Sequence, residues 1–189
     1  MPPRVDRAMA LALVLGLALA LTSAAAVRAA EAASPCPPVD LPQQALQSVN
    51  ALRAQGARCA GRWMPAAPAL QWSGAAAMAA AGHAADMAGQ GGMAHRGSDG
   101  SQGGDRLERA GYVWSSWGEN LGQGHRSVPA LVAHWAVSAG HCANLLNPRF
   151  TELGMACARS AGGEPYWAMT LARPSAVPGA PAGATPASR

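Results

Sequence analysis

The run ALVAHWAVSAGHCANLLNPRFTELGMAC, residues 130–157, changes its period part-way, and that change decides the fold class. Leu131, Val132 and Trp135 recur at helical spacing, with Ser127 placed to cap and Pro129 in the first turn. Ser138-Ala139-Gly140 interrupts this helix, and His141 opens a second, shorter one in CANLL. From Glu152 the pattern is extended. ELGMACAR and the later PYWAMTLA flank Ser160-Ala161-Gly162-Gly163, which reads as a hairpin turn. Upstream the chain reads as helical. A helix over 42–55 carries Leu46, Val49 and Leu52 on one stripe and stops at Gly56, and an Ala-rich helix capped by Ser73 runs to about residue 88. A short helix starts at Asp105 in DRLERAGY. The intervening GARCAGRWMPAAPALQW reads as a loop, since Pro65 and Pro68 bar regular structure. Helices early and a hairpin late predict an α+β domain.

The 189 residues suit one domain with terminal extensions, and no internal repeat is visible. Half the residues are apolar, but Ala carries much of that share and Phe occurs once, so the six Trp must fill much of the core. Residues 1–29 read as a secretory signal peptide: Arg4 and Arg7 precede the apolar run ALALVLGLALAL, and small residues with Val27-Arg28-Ala29 follow as a cleavage site. That run is too short to span a bilayer, so the chain is not expected to be an integral membrane protein. Residues 30–40 read as a Pro/Ala-rich linker, 41–173 as the folded domain, and 174–189 as a disordered Pro/Ala-rich tail. A net charge of +4 suggests nucleic acid only until the leader is removed. Without Arg4, Arg7, Arg28 and Asp6, eleven scattered bases face nine acids, which is no basic patch. Export to the medium or periplasm also accounts for the four cysteines. Cys36, Cys59, Cys142 and Cys157 are an even set that an oxidising compartment would pair, and spacing leaves all three connectivities open. The competing reading, a nucleophilic Cys142 beside His141, sits poorly with export.

The chemistry centres on WGENLGQG, 117–124, where Glu119 lies among glycines. Glycine there is expected to let the backbone bring one carboxylate close to two imidazoles. Of the five histidines, His83, like its neighbour Asp86, reads as a polar residue of a helix face, His125 as solvated, and His134 as lacking a partner. His95 opens a flexible glycine-rich loop of the kind that lines clefts. His141 stands near a helix N-terminus, whose dipole keeps the ring neutral. Two neutral imidazoles and a carboxylate are the inventory of an open zinc site or of an acid–base pair. No HExxH, GxSxG, CxxC or phosphate loop is present.

The ordered series GHAADMA (82–88), MAHRGSDG (93–100), DRLERAGY (105–112), GENLGQG (118–124), the 130–157 run and the terminal YWAMTLA resembles the CAP superfamily. That superfamily comprises cysteine-rich secretory proteins, antigen 5 and plant pathogenesis-related proteins; the resemblance is to its bacterial secreted branch. It implies a three-layer α-β-α sandwich whose central cleft is commonly lined by two His and two Glu. His95, Glu119 and His141 match three of those positions, and Ser138 stands where the second acid would fall. Three polar groups of four hold a divalent cation less firmly, and Asp99 or Glu108 are the acids that would have to substitute. The resemblance also implies Cys59 paired with Cys142 and Cys36 with Cys157.

Three functions follow as expectations. The favoured one is a secreted binding module for a lipid or other small apolar ligand, a peptide or a cell-wall component, with Zn2+ or another divalent cation at His95, His141 and Glu119. The alternative is a zinc-dependent hydrolase acting on peptide or envelope polymer. Against it, no residue set assembles a full catalytic constellation. The third is a passive, disulfide-stapled structural protein.

Overall fold

Alternate residues of the sheet face two different helical layers, and side-chain size sets how closely each layer approaches. The computed structural model describes Cys36 and residues 38–176. The expected signal peptide, most of the linker and the tail after residue 176 lie outside the described residues. Helices are α1 (Leu41–Gln55), α2 (Gly74–Gln90), α3 (Gly103–Arg109), α4 (Val128–Val137) and α5 (Ala139–Leu145). Strands are β1 (Ala57–Cys59), β2 (Arg62–Met64), β3 (Gln71–Trp72), β4 (Trp114–Gln123), β5 (Glu152–Arg159) and β6 (Pro165–Pro174). β1 and β2 form a separate antiparallel ribbon. The main sheet has the order β3-β5-β6-β4, with β3 parallel to β5 and the other pairs antiparallel, so β4 is an edge.

One face is built from large side chains. Leu153, Met155, Trp167, Met169 and Leu171 pack with Val49 of α1, Leu131 and Trp135 of α4 and Leu145 of α5. The opposite face is built from small ones: Ala156 and Ala168 meet Ala80, Ala84 and Met87 of α2, and Ala172 meets Ala76 and Ala79 of α2 and Leu107 of α3. The two helical layers around one sheet make an α+β sandwich. Alanine abundance therefore has a structural use, because a helix faced with methyl groups can lie close to a sheet.

Several expectations hold in detail. Ser73 and Ser127 cap α2 and α4, accepting from the amides of Ala76 and Ala130 at 3.3 and 3.4 Å. The 160–163 turn closes the β5–β6 hairpin, Gly163 N–H donating to Ser160 O at 2.8 Å. The disulfides join Cys36 to Cys157 and Cys59 to Cys142, each with Cα atoms 5.4 Å apart, so Cys142 is no free nucleophile.

Other expectations are corrected. The buried stripe of α1 is Leu41, Ala45, Val49 and Arg53, with Leu46 and Leu52 only partly covered. Arg53 is fully buried because its guanidinium satisfies four backbone carbonyls, those of Pro68, Leu145, Asn147 and Phe150. The 56–72 loop contains a hairpin turned by Ala60 (φ 48°) and Gly61 (φ 89°), whose positive angles match the twist of two paired strands. α3 begins two residues before Asp105, whose carboxylate accepts from the Gln102 amide at 2.8 Å. The expected tail starts late, since β6 includes Pro174 and the Ser175 amide donates to Val113 O.

The tightest approach of the two layers is at Gly154 on β5, where a Cβ would overlap the backbone amide of Ala77. Gly154→Ala therefore has to push α2 off the sheet and is expected to cost at least the roughly 1–3 kcal/mol of ordinary overpacking. Gly89→Ala on α2, with open space around its Cβ, is expected to be neutral or stabilising by up to about 1 kcal/mol. Urea unfolding of the two variants checks both.

Candidate functional site

The GENLG stretch lies on strand β4, and the alternation of the strand explains the residues in it. Gly118 and Gly122 point to the α4–α5 side: a Cβ on them would stand 2.8 Å from the Phe150 ring and 2.5 Å from the Leu131 side chain. Their neighbours Glu119 and Leu121 point the other way, toward α2 and α3. The glycines thus admit large core side chains on the far face rather than steering Glu119, which corrects the sequence reading.

Glu119 is 5% exposed, and both its oxygens are taken. Oε1 accepts from His95 Nδ1 at 2.8 Å, and Oε2 accepts from Arg106 Nη2 at 2.7 Å. Arg106, on α3, is itself buried and also donates to Ser101 O, Ser101 Oγ and His95 O, so one guanidinium ties helix, loop and edge strand together. His83, on α2, is 1% exposed; its Nε2 donates to Ala94 O at 2.9 Å and lies 3.8 Å from Glu119 Oε1.

Electrostatics follow from this packing. Burial pushes the Glu119 pKa up, but the hydrogen bonds from His95 and Arg106 and the Arg106 charge outweigh it, so the net shift is downward. The hydrogen bond to Glu119 raises the pKa of His95 against its own partial burial. Burial lowers His83 despite the Glu119 charge. His141 is lowered by burial first, then by the charges of His95 and His134.

The predicted residues are brought together unequally. His95 and Glu119 form a direct pair. His141 arrives from α5 around the sheet edge, where Asn120 of the same GEN stretch donates to its carbonyl at 3.1 Å and its ring lies beside Trp135. Asn144 donates to both Glu119 O and Asn120 Oδ1 and fixes α5 there. His141 senses His95 through charge and makes no hydrogen bond to Glu119. Ser138 joins α4 to α5, and its hydroxyl caps neither helix through a hydrogen bond. Asp99 pairs instead with Arg109 and the Ser101 amide, and Glu108 is exposed on α3. Among the described residues no three His, Cys, Asp or Glu side chains lie close enough to hold a metal ion. For His95, His141 and Glu119 to act as a three-ligand set, the bonds from His95 to Oε1 and from Arg106 to Oε2 would have to rearrange.

Sequence reading missed Arg106 and His83. For His83 a signal existed: it falls within the stripe Ala76, Ala79, Ala80, Ala84, Met87 that the helix buries. For Arg106 the signal was the adjacent Gly103-Gly104 pair, where a Cβ would run into the Trp117 and Trp114 rings and which marks α3 as pressed onto β4. In front of these two residues, between α2, α3 and the 97–101 loop, lies a cavity of about 530 Å³. Met78, Ala79 and Gly82 form its apolar wall, and Asp86, Asp99 and Arg109 its charged rim.

The family model for cysteine-rich secretory proteins (CAP) matches residues 46–171. The chain belongs to that family. It is 35% identical over 51 residues to the uncharacterized protein YkwD of Bacillus subtilis (strain 168), covering 27% of this chain and 20% of that relative. It resembles the crystal structure of an extracellular SCP-domain protein from Bacillus anthracis str. Ames, with TM-score 0.54, 26% identity, and 70% of this chain against 41% of that one. The fold is also that of an outer surface protein from Borrelia burgdorferi, with TM-score 0.53, 15% identity, and 58% of this chain against 80% of that one. The chain spans under half the length of the two Bacillus proteins.

In this cysteine-rich secretory domain, Glu119→Ala leaves Arg106 buried without a counter-charge and is expected to cost about 3–5 kcal/mol in urea unfolding. His95→Ala, with a side chain 61% exposed, is expected to cost at most about 1 kcal/mol. Folding lowers the Glu119 pKa, so its contribution is complete above about pH 4.3 and is lost as pH falls through the depressed folded value. His95 has the opposite sign: its contribution is complete below about pH 6.5 and is lost as pH rises through its raised value. In an NMR titration of Glu119→Gln, the His95 pKa is expected to move down from its wild-type value.

Proposed function

We propose that this chain is an exported binding module that takes a small amphipathic ligand, a lipid, peptide or cell-wall fragment, in the cavity between α2 and α3. One observation carries the reading. Both oxygens of Glu119, the acid of the histidine cluster, are hydrogen-bonded, by Arg106 and His95, while Arg106 and the neighbouring His83, 3.8 Å from the carboxylate, line an open cavity of about 530 Å³. A carboxylate with both oxygens engaged and a depressed pKa is a poor general base. It makes a rigid back wall, and rigid walls favour binding by reducing the ordering that a ligand must impose.

The cavity has the composition of a ligand pocket, an apolar wall with a few polar groups at its mouth. The carboxylates of Asp86 and Asp99 have lowered pKa values because Ser98 and Ser101 donate to them. Arg106 and Arg109 line the same cavity, and Arg109 pairs with Asp99. A rim with both signs suits a polar or zwitterionic head better than a bare anion. Export is supported by the two disulfides and by the extracellular and outer-surface relatives. Among the described residues no helix is long and apolar enough to cross a membrane.

Gly82 lets the reading be tested without disturbing the fold. It lies on α2 at the cavity wall, and a Cβ there meets nothing within 4 Å. Gly82→Leu is expected to fill the cavity while holding or raising the melting temperature, since Leu is the better helix former. With a fluorescent long-chain fatty acid as probe, wild type is expected to bind and Gly82→Leu to lose at least tenfold in affinity. Equal binding by both proteins would move the ligand elsewhere. Chelator-sensitive cleavage of a peptide library by wild type would favour the zinc hydrolase instead.

A further inference from the structure

Two histidines that the Glu119 cluster does not use meet on the outer side of α4. The rings of His125 and His134 have centres 4.9 Å apart and planes inclined at 48°. Both backbones are held. Gly124, with φ +81°, ends β4 by donating its N–H to Pro165 O at 2.9 Å, and the His125 carbonyl accepts from Trp167 Nε1 at 2.8 Å. His134 sits within α4, which Ser127 caps and which Leu131, Val132 and Trp135 anchor in the core. His134 is exposed and His125 half-buried, so the pair opens to solvent.

We propose that His125 and His134 form a two-imidazole site for a late first-row divalent cation, Cu(II) ahead of Zn(II), separate from His95, Glu119 and His141. The ring separation is the main ground. With metal–nitrogen bonds of about 2.0–2.1 Å and roughly 1.1 Å more to each ring centre, two imidazoles bound at about 100° stand roughly 5 Å apart. That angle lies between the cis angle of a tetragonal ion and the tetrahedral one, so the rings are spaced for either. The nitrogens are available, since neither ring makes a hydrogen bond among the described residues, and burial together with the charge of His134 lowers the pKa of His125. No thiolate or carboxylate completes a cluster among the described residues, which leaves the other coordination positions to water. An all-imidazole, water-completed set ranks these ions by the Irving–Williams order, with Cu(II) at the top.

The test uses the full exported chain with its disulfides intact. In a His95→Ala/His141→Ala background, Cu(II) is titrated calorimetrically and its electron paramagnetic resonance recorded. One equivalent is expected to bind with two nitrogen donors. Adding His134→Ala or His125→Ala is expected to weaken binding at least tenfold and to reduce the nitrogen count. No Cu(II) binding in the background, or unchanged binding after His134→Ala, would overturn the proposal. Should the background fail to fold by circular dichroism, single His134→Ala decides: an exposed residue whose loss leaves the Cu(II) spectrum of wild type unaltered is no ligand.

Discussion

A carboxylate buried at a sheet edge and divided between a guanidinium and an imidazole is the constraint around which the site is arranged. An ionised acid with almost no solvent contact is costly unless paired and hydrogen-bonded. Glu119 meets that condition on both oxygens. The partner charge comes from α3, which must therefore lie against β4, and the glycines at 103 and 104 let it do so. Arg106 in turn satisfies the Ser101 and His95 carbonyls, so the glycine-rich loop is fixed by the same cation that fixes the acid. Removing either charge strands the other in a nonpolar setting, which links the loop, the helix and the edge strand energetically.

The sheet explains why the two helical layers differ. Trp135, Trp167 and Leu153 fill the space toward α1 and α4, and both disulfides attach on that side, one at Cys157 of β5 and one between β1 and α5. Toward α2 the contact is methyl against methyl and, at Gly154, backbone against backbone. A layer of small side chains packs closely where it touches the sheet and leaves room where it does not. The cavity opens where Ala79 and Gly82 of α2 face α3 with too little bulk to fill the gap. Its apolar wall is thus a consequence of the same alanine richness that seats the helix.

Much of this was legible from residue order, and the exceptions share a cause. Caps at Ser73 and Ser127 and the 160–163 hairpin depend on local chemistry and could be read locally. β4 could not, because glycines at 118 and 122 erase the large-residue alternation by which a strand announces itself. Arg53 was invisible for a related reason, and His83 and Arg106 were marked only indirectly, by the buried stripe of α2 and by the Gly103-Gly104 pair. Each is a polar residue whose partners come from elsewhere in the fold, four carbonyls for Arg53 and a carboxylate for Arg106, and no local pattern specifies such partners. His95 and Glu119 were placed together through the ordered motifs, whereas the guanidinium between helix and strand had no motif of its own.

The histidines form a further level of organisation. His95 acts electrostatically on His141, and His134 acts on both His141 and His125. A proton on one ring opposes a proton on the next. Glu119 touches the first of them and raises its proton affinity, so His95 is the ring on which charge is favoured. The proton affinities of His141 and His125 are instead lowered, first by burial and then by neighbouring histidines. One buried acid therefore does more than pin a loop: it favours positive charge on His95, and that charge in turn lowers the proton affinity of His141.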